Sequence, residues 1–469
     1  MCIQRQDIRL ALPKGRLLAS TSDVLSKGGL DFADYAESTR MYSFRSARFP
    51  GVTAKMFQEK DIPVQVAVGN YDLGICGLDW VEELLARYPA SRLVKVADLG
   101  YGRTNVYAAT RARSPTATRT DTLTSCRLVS EYPNLAEAYA VSTRLRGFKV
   151  FPVWGAAEVY PPESADLIVL REASEAGLAA RGLTLVAKLL DSSACLIANA
   201  DAWERRDLSV VLACFKNGRP VDSQPPLETV VPSLKKELQW RPDTVWLALP
   251  DGHQKEPAVE YLERAGIRLE GYTLSSDERR PVGEWIDAKV IRPQDMPQQV
   301  ANGNFDMAIT GRDWLADHLA RFPSSPVRQL LNLGFGKVRI VAAISQDLPV
   351  RSVADLRNII AEGKLSPLRV CSEYVNIADK YLWENRLSPY RLIPTWGASE
   401  AFLPDDADLL IENTQTGKTL ERQRLGIIDV LFESTACIIG SKDPPQSALK
   451  RERIDALLKI FRGGLEKPA

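Results

Sequence analysis

Histidine is almost missing from this chain: positions 253 and 318 hold the only two among 469 residues. A His-rich metal site or a Ser/His/Asp triad therefore has almost no material, and no protein metal site is expected. The cysteines, at Cys2, Cys76, Cys126, Cys195, Cys214, Cys371 and Cys437, are odd in number and form no CxxC pair. That pattern is neither a zinc site nor a disulfide framework; it reads as small buried hydrophobes. An excess of one charge is lacking too, since 60 Lys+Arg against 59 Asp+Glu leave a formal net charge of +1. No global field advertises nucleic acid or an anionic membrane, so an anionic ligand has to be held locally. Nowhere do roughly 18 apolar residues run together. The opening "MCIQRQDIRLALPKGRL" has no long apolar core and no small-residue cleavage site. The expectation is a cytoplasmic protein that uses neither nucleic acid nor membrane as a partner.

What is present is ordinary globular material, 45% hydrophobic and 25% charged, and it is present twice. "IRLALPKGRL" returns as "VWLALPDGHQ", and "VGNYDLGICGLDWVEELLARYP" as "NGNFDMAITGRDWLADHLARFP". "SEYPNLAEAY" returns as "SEYVNIADKY", "FPVWGAAEVYPPESADLIVL" as "IPTWGASEAFLPDDADLLIE", and "LLDSSACLIAN" as "LFESTACIIGS". Matched blocks in one order, with a period of about 240 residues, mean tandem duplication of a unit able to fold in its own right. The first copy is placed at 1–215 and the second at 243–469. The Pro-, Gly- and charge-rich stretch 216–242 between them reads as a linker.

Within each copy, short β-branched or apolar runs alternate with longer helical patterns, which is βαβ grammar and predicts mostly parallel sheets covered by helices. The order of the blocks suggests two lobes per copy. An early lobe runs to about residue 110 and is revisited by "ACLIANADAWERRDLSVVLACFK", with a second lobe inserted between. Ligands in such folds sit at the carboxyl ends of strands, in the crevice between lobes.

"ADLLIENTQTGKTLERQ" carries the strongest chemical signal. A strand is expected to end at Ile411 and Glu412, a turn to run from Asn413 to Gly417, and helix formers to follow. Free backbone N–H groups at such a helix start make an anion site. Gly417 lets the backbone approach closely, Thr416, Thr419 and the Lys418 amide can donate to phosphate oxygens, and Glu412 can accept from a sugar diol. Read alone, the loop is equally a polar turn at a helix start. The NTPase P-loop is excluded at its first glycine, where Glu412 stands.

Taken together, "ALPKGRL", "VIRPQDMPQQVANGNFDMAITGRDWL", "LGFGKVRI", "SEYPNLAEAY" and "ENTQTGKTL" resemble the ATP phosphoribosyltransferase family, which opens histidine biosynthesis. The similarity covers nearly the whole chain, and one copy is about the size of the family's short-form catalytic chain. The resemblance implies an α/β architecture of two tandem copies of a two-lobed fold like type II periplasmic binding proteins. It implies transfer of phosphoribose from 5-phosphoribosyl 1-pyrophosphate to N1 of ATP, with Mg2+ bound through the substrate pyrophosphate. It also assigns Glu412, Gln415, Thr416, Gly417, Lys418 and Thr419 to phosphoribose, and Arg292 and Arg339 as catalytic basic residues aimed at the anionic substrates. A histidyl-tRNA-synthetase-like regulatory subunit, as used by the short forms, and homo-oligomerisation belong to the same expectation.

Departures from the family pattern differ between the copies. The first copy's loop is "LREASEAGL", with Glu175 where glycine is expected, and Gln58 and Asn105 replace the two arginines. Yet only the first copy keeps "ALPKGRL", with Lys14 and Arg16, where the second has Asp251 and His253. Both copies have a glutamate, Glu131 or Glu373, where the family usually has lysine. The reading is a pseudo-dimer in one chain that binds phosphoribose in the second copy. In it, Lys14 and Arg16 either reach across to complete that site or belong to a scaffold. Transfer to a different nitrogen base, and a non-catalytic binding or regulatory role, stay open.

Overall fold

The computed structural model describes residues 7–111, 126–215 and 243–466, apart from residues 33, 40, 146, 444 and 446, together with Gly218. The stretch expected to be the linker, 216–242, lies otherwise outside the described residues, as does Cys2. Buried apolar runs such as Ile8–Pro13 and Val245–Pro250 form central strands, each parallel to a neighbour, Val52–Phe57 and Ile286–Ile291 respectively. Amphipathic helices follow, as at Leu78–Arg87 and Arg312–Arg321, and bury one face against the sheet.

The strands make four sheets, two per copy. In the first copy Ala194–Asn199 returns to the early lobe and pairs antiparallel with Leu73–Gly77. The later lobe is built on Cys126–Ser130 and Leu167–Glu172, which run parallel to each other and antiparallel to Thr104–Thr110. The sheets are therefore mixed and not mostly parallel. The chain enters the inserted lobe along one strand and leaves along another, Thr184–Ser192, and these two pair antiparallel. The second copy repeats the plan, with Leu409–Thr414 between Val338–Ser345 and Leu368–Ser372.

The copies pack crosswise. The early lobe of the first meets the later lobe of the second: Arg9, Lys55 and Tyr71 converge on buried Asp406, at 3.3, 3.3 and 2.8 Å. Phe57 packs edge-on against Phe402 beside them. On the other arm Lys289 and Arg280 hold Glu163 at 2.7 and 3.1 Å, and the Trp154 N–H donates to Asp295. Apolar clusters also run through the boundary, one uniting Phe57, Val66 and Tyr132 with Val341, Phe402 and Leu420. Burial of apolar side chains from both copies makes them one folding unit.

Candidate functional site

Between the lobes of the second copy lies a cleft of about 740 Å³. Its early-lobe wall carries Asp251, Arg292 and Asp313, and its later-lobe wall carries Glu373, Glu400 and the loop from Glu412. Asp313 is buried at the start of helix Arg312–Arg321 and accepts from the Tyr374 hydroxyl at 2.6 Å and from Ser434 at 2.9 Å. Asn413 donates in turn to the Tyr374 oxygen at 3.0 Å. A polar chain thus links the two lobes at the base of the cleft and fixes their separation.

The strand leading into the loop runs two residues further than the sequence suggests, to Thr414, because Asn413 and Thr414 pair with Ile340 and Arg339. Gly417 follows with φ +79, a left-handed conformation in which a side chain would be strained. Its N–H donates to Thr414 Oγ1 at 3.0 Å, and no side chain caps the helix that begins at Lys418. That helix, Lys418–Arg422, is a single short turn, so the loop's donors are local amides and hydroxyls rather than a long macrodipole. Glu412, Gln415, Thr416, Lys418 and Thr419 all line the cleft.

Glu373, Glu400 and Glu412 face this space from the later-lobe wall. Burial, with the nearby Glu373, pushes Glu412 well above the usual carboxylate range, against the pull of the Asn413 N–H that it accepts at 2.9 Å. Burial also raises Glu373, to about 7, opposed by Lys60 of the first copy and reinforced by Glu400. Arg292 lies opposite, within 3.3 Å of Asp251 and against Gly155 of the first copy. Arg339 shares a sheet face with Thr414 across the antiparallel ladder, but this strand contributes Val338 to the cleft lining and not Arg339.

The corresponding region of the first copy is filled by its own side chains. Ser174 caps helix Glu175–Ala180 by accepting from the Gly177 N–H, so the loop amide is already used. Arg171 bridges the lobes to Asp79 at 3.5 Å, and Arg181 holds Glu172 at 3.0 Å. Arg16 is tied down there too, to Glu59 at 2.7 Å and to the Gly102 carbonyl at 2.8 Å. Lys14 rests over the Tyr42 ring at 5.3 Å. Neither Lys14 nor Arg16 lines the second copy's cleft, which favours the scaffold alternative over a direct reach across the pseudo-dimer.

Other residues of the first copy make that crossing. The Tyr42 hydroxyl donates to Glu400 at 2.9 Å. Gln58 approaches Gly397 so closely that a Cβ there would lie 3.2 Å from its amide nitrogen and 3.5 Å from Glu373. Lys60 stands beside Trp396. Sequence reasoning missed Tyr42 and Lys60; the one available signal was the lysine in "FQEKDIP", where the second copy reads "IRPQDMP".

Among the described residues no group of three or more His, Cys, Asp or Glu side chains is arranged to hold a metal ion. No described helix is long and apolar enough to cross a membrane.

Comparison with known proteins gives the relationship. The family model for ATP phosphoribosyltransferase matches residues 58–216 and 292–463. The ATP phosphoribosyltransferase of Chlorobaculum parvum is 30% identical over 228 residues, 47% of this chain and 71% of that protein. The one from Koribacter versatilis is 28% identical over 223 residues, 47% of this chain and 72% of the relative. Among solved structures, the ATP phosphoribosyl transferase (HisG:HisZ) complex from Thermotoga maritima aligns at TM-score 0.39 and 23% identity, over 48% of this chain and 99% of that one. The alkanesulfonate-binding protein SsuA from Xanthomonas axonopodis aligns at TM-score 0.30 and 8% identity, over 47% of this chain and 73% of its own. The family model matches separately in each copy and over more than half of the chain in total, and the protein belongs to the ATP phosphoribosyltransferase family.

Proposed function

We propose that this member of the family turns over in one of its two clefts, transferring phosphoribose from 5-phosphoribosyl 1-pyrophosphate to N1 of ATP within the second copy. The observation that carries the choice is the contrast between the loops. The helix that opens at Lys418 has no side chain at its N-cap and Thr414 holds only the Gly417 N–H at close range, whereas Ser174 caps the first copy's helix and Glu175 stands where Gly417 does. A carboxylate at that point repels phosphate.

In this reading the amides and hydroxyls from Thr416 to Thr419 hold the 5-phosphate, and Glu412 accepts from the ribose hydroxyls. The C1–O bond to pyrophosphate breaks as the C1–N1 bond to adenine forms, through an oxocarbenium-like state. The catalytic need is for positive charge on the leaving pyrophosphate and for alignment, not for a strong base. Arg292, on the facing wall, is placed to supply that charge. Mg2+ would be held through the oxygens of the substrate pyrophosphate, which suit it, and would supply charge neutralisation on the leaving group there. Arg339 pairs with Thr414, the last strand residue before the loop, and in this reading acts on the anionic substrates from there.

Glu373 on the cleft wall favours one second reading, transfer to another nitrogen base. A histidyl-tRNA-synthetase-like subunit and self-association remain part of the proposal, to be read from co-purification and solution mass. The deciding experiment is calorimetry with phosphoribosyl pyrophosphate and Mg2+, followed by a product assay with ATP. One site per chain, abolished in Gly417→Glu and kept in Ala176→Thr, with formation of phosphoribosyl-ATP, is the expected result. Two equivalent sites would overturn the one-cleft reading, and a product formed only with another base would overturn the acceptor.

A further inference from the structure

Where the two copies meet, the same tryptophan of each comes to the boundary: Trp154 and Trp396 have ring centroids 6.5 Å apart. Between them, from the first copy, enters Lys60. Its ammonium lies 5.3 Å from the Trp154 ring, 5.3 Å from Trp396 and 5.8 Å from Trp80. Each distance is within the roughly 6 Å at which a ring face attracts a cation. The equivalent position in the second copy is Gln294, which carries no charge, so the duplication supplies a cation at this position from the first copy alone.

Burial pulls the Lys60 ammonium below the usual lysine range, and the groups facing it that oppose this pull are all acidic: Glu131 and Asp61 from the first copy, Glu373 and Asp295 from the second. They are not equivalent. Glu131 also feels Arg171 and Arg292, and Asp295 accepts the Trp154 N–H and feels Arg292 as well. For Glu373 the acting cation is Lys60, while Glu400 and Glu412 oppose its ionisation from the cleft side. Glu373 alone among the four lines the open cleft. An anionic substrate approaching this wall meets Glu373, Glu400 and Glu412 together, and each of them that is ionised repels it unless charge is supplied from behind.

We infer that Lys60, carried by the first copy, is a positioning residue of the second copy's cleft: held by three indole rings at the junction, it balances Glu373 and so lets the cleft admit an anionic substrate. This rests on the reading of that cleft as the phosphoribosyl site. It also gives the first copy, whose own loop is capped, a reason to remain joined to the second. The contribution acts through Glu373 and touches no reacting atom.

The test uses the full chain and two readouts. Lys60→Met keeps the aliphatic stem within the indole cage and removes the charge; Lys60→Arg keeps the charge. Intrinsic tryptophan fluorescence between pH 5 and 9 is expected to show a transition near the Glu373 value of about 7. The transition should vanish in Glu373→Gln, move up by about one pH unit in Lys60→Met, and stay in place in Lys60→Arg. In calorimetry at pH 9, where Glu373 is ionised with or without Lys60, Lys60→Met should weaken phosphoribosyl pyrophosphate with Mg2+ about tenfold, and adding Glu373→Gln should restore most of the loss. A transition and an affinity unmoved by Lys60→Met, or a double variant no better than the single one, overturns the inference. If the parent chain binds no phosphoribosyl pyrophosphate, the reading of the cleft fails, and the fluorescence titration alone decides whether Lys60 governs Glu373. Should Lys60→Met not fold, the comparison of parent, Lys60→Arg and Glu373→Gln still assigns the transition.

Discussion

Tyr42 of the first copy donates its hydroxyl to Glu400 of the second at 2.9 Å, although the two residues stand far apart in the chain. The contact ties a first-copy side chain to Glu400, which lines the second copy's cleft, and it is one of several that make the halves interdependent.

That dependence predicts the behaviour of the second copy alone. Expressing residues 243–469 would bare Val341, Ala343, Phe402 and Leu403, which pack with first-copy residues in one cluster. The expected outcome is self-association or a dye-binding, loosely packed state in gel filtration, with turnover restored on co-expression with residues 1–242. A monodisperse, fully active fragment would show that the first copy is dispensable.

Lys14 and Arg16 are now expected to matter little to the chemistry. Arg16 neutralises Glu59 within its own copy, and Lys14 packs on Tyr42. The double variant Lys14→Ala with Arg16→Ala should change kcat/KM by less than about threefold, since partly exposed ion pairs contribute about 0–1 kcal/mol. A loss of about a hundredfold with unchanged Tm would return these residues to the site.

The Glu163 pair should be costly to break. Lys289 is 1% exposed and holds Glu163 at 2.7 Å across the copies. Although burial raises the Glu163 carboxyl, Lys289 and Arg280 more than offset it and hold it at about 2. Glu163→Gln leaves Lys289 buried without its counter-charge, an expected loss of about 3 kcal/mol. Thermal denaturation should show a midpoint lower by roughly 3 °C. Lys27→Ala, which removes an exposed pair with Asp23, should move it by about 1 °C or less.

Stability should fall as the solution becomes alkaline. Burial raises Glu83 to about 7, Glu373 to about 7 and Asp295 to about 8. Above about pH 4 the unfolded chain releases these protons while the folded chain keeps them, so unfolding is favoured progressively until the folded values are passed. Melting between pH 5 and 8 should show a midpoint falling by roughly 5 °C. The slope should flatten in a variant combining Glu373→Gln with Asp295→Asn. A midpoint that rises over this range would mean that these carboxyls are ionised in the folded chain throughout.

The duplication, the alternation of strands and helices, and the loop from Glu412 to Thr419 were legible in the sequence because each depends on residues close together in the chain. A left-handed turn asks for a glycine where it stands, and Gly417 stands there with φ +79. A strand announces itself by its own apolar run, as Leu409–Thr414 does. The strand directions in the later lobe were not legible, because they depend on where the chain enters and leaves. Nor was the crosswise packing, which is decided by how four sheets bury their apolar faces against one another. Only that packing sets Lys60 between Trp154 and Trp396, brings Tyr42 to Glu400, and leaves Arg16 facing Glu59 within its own copy. The sequence by itself determined which loop carries a glycine at its left-handed turn. The tertiary structure decided which side chains of the other copy stand around it, since those meetings join residues with no local relation and are fixed by burial, not by spacing.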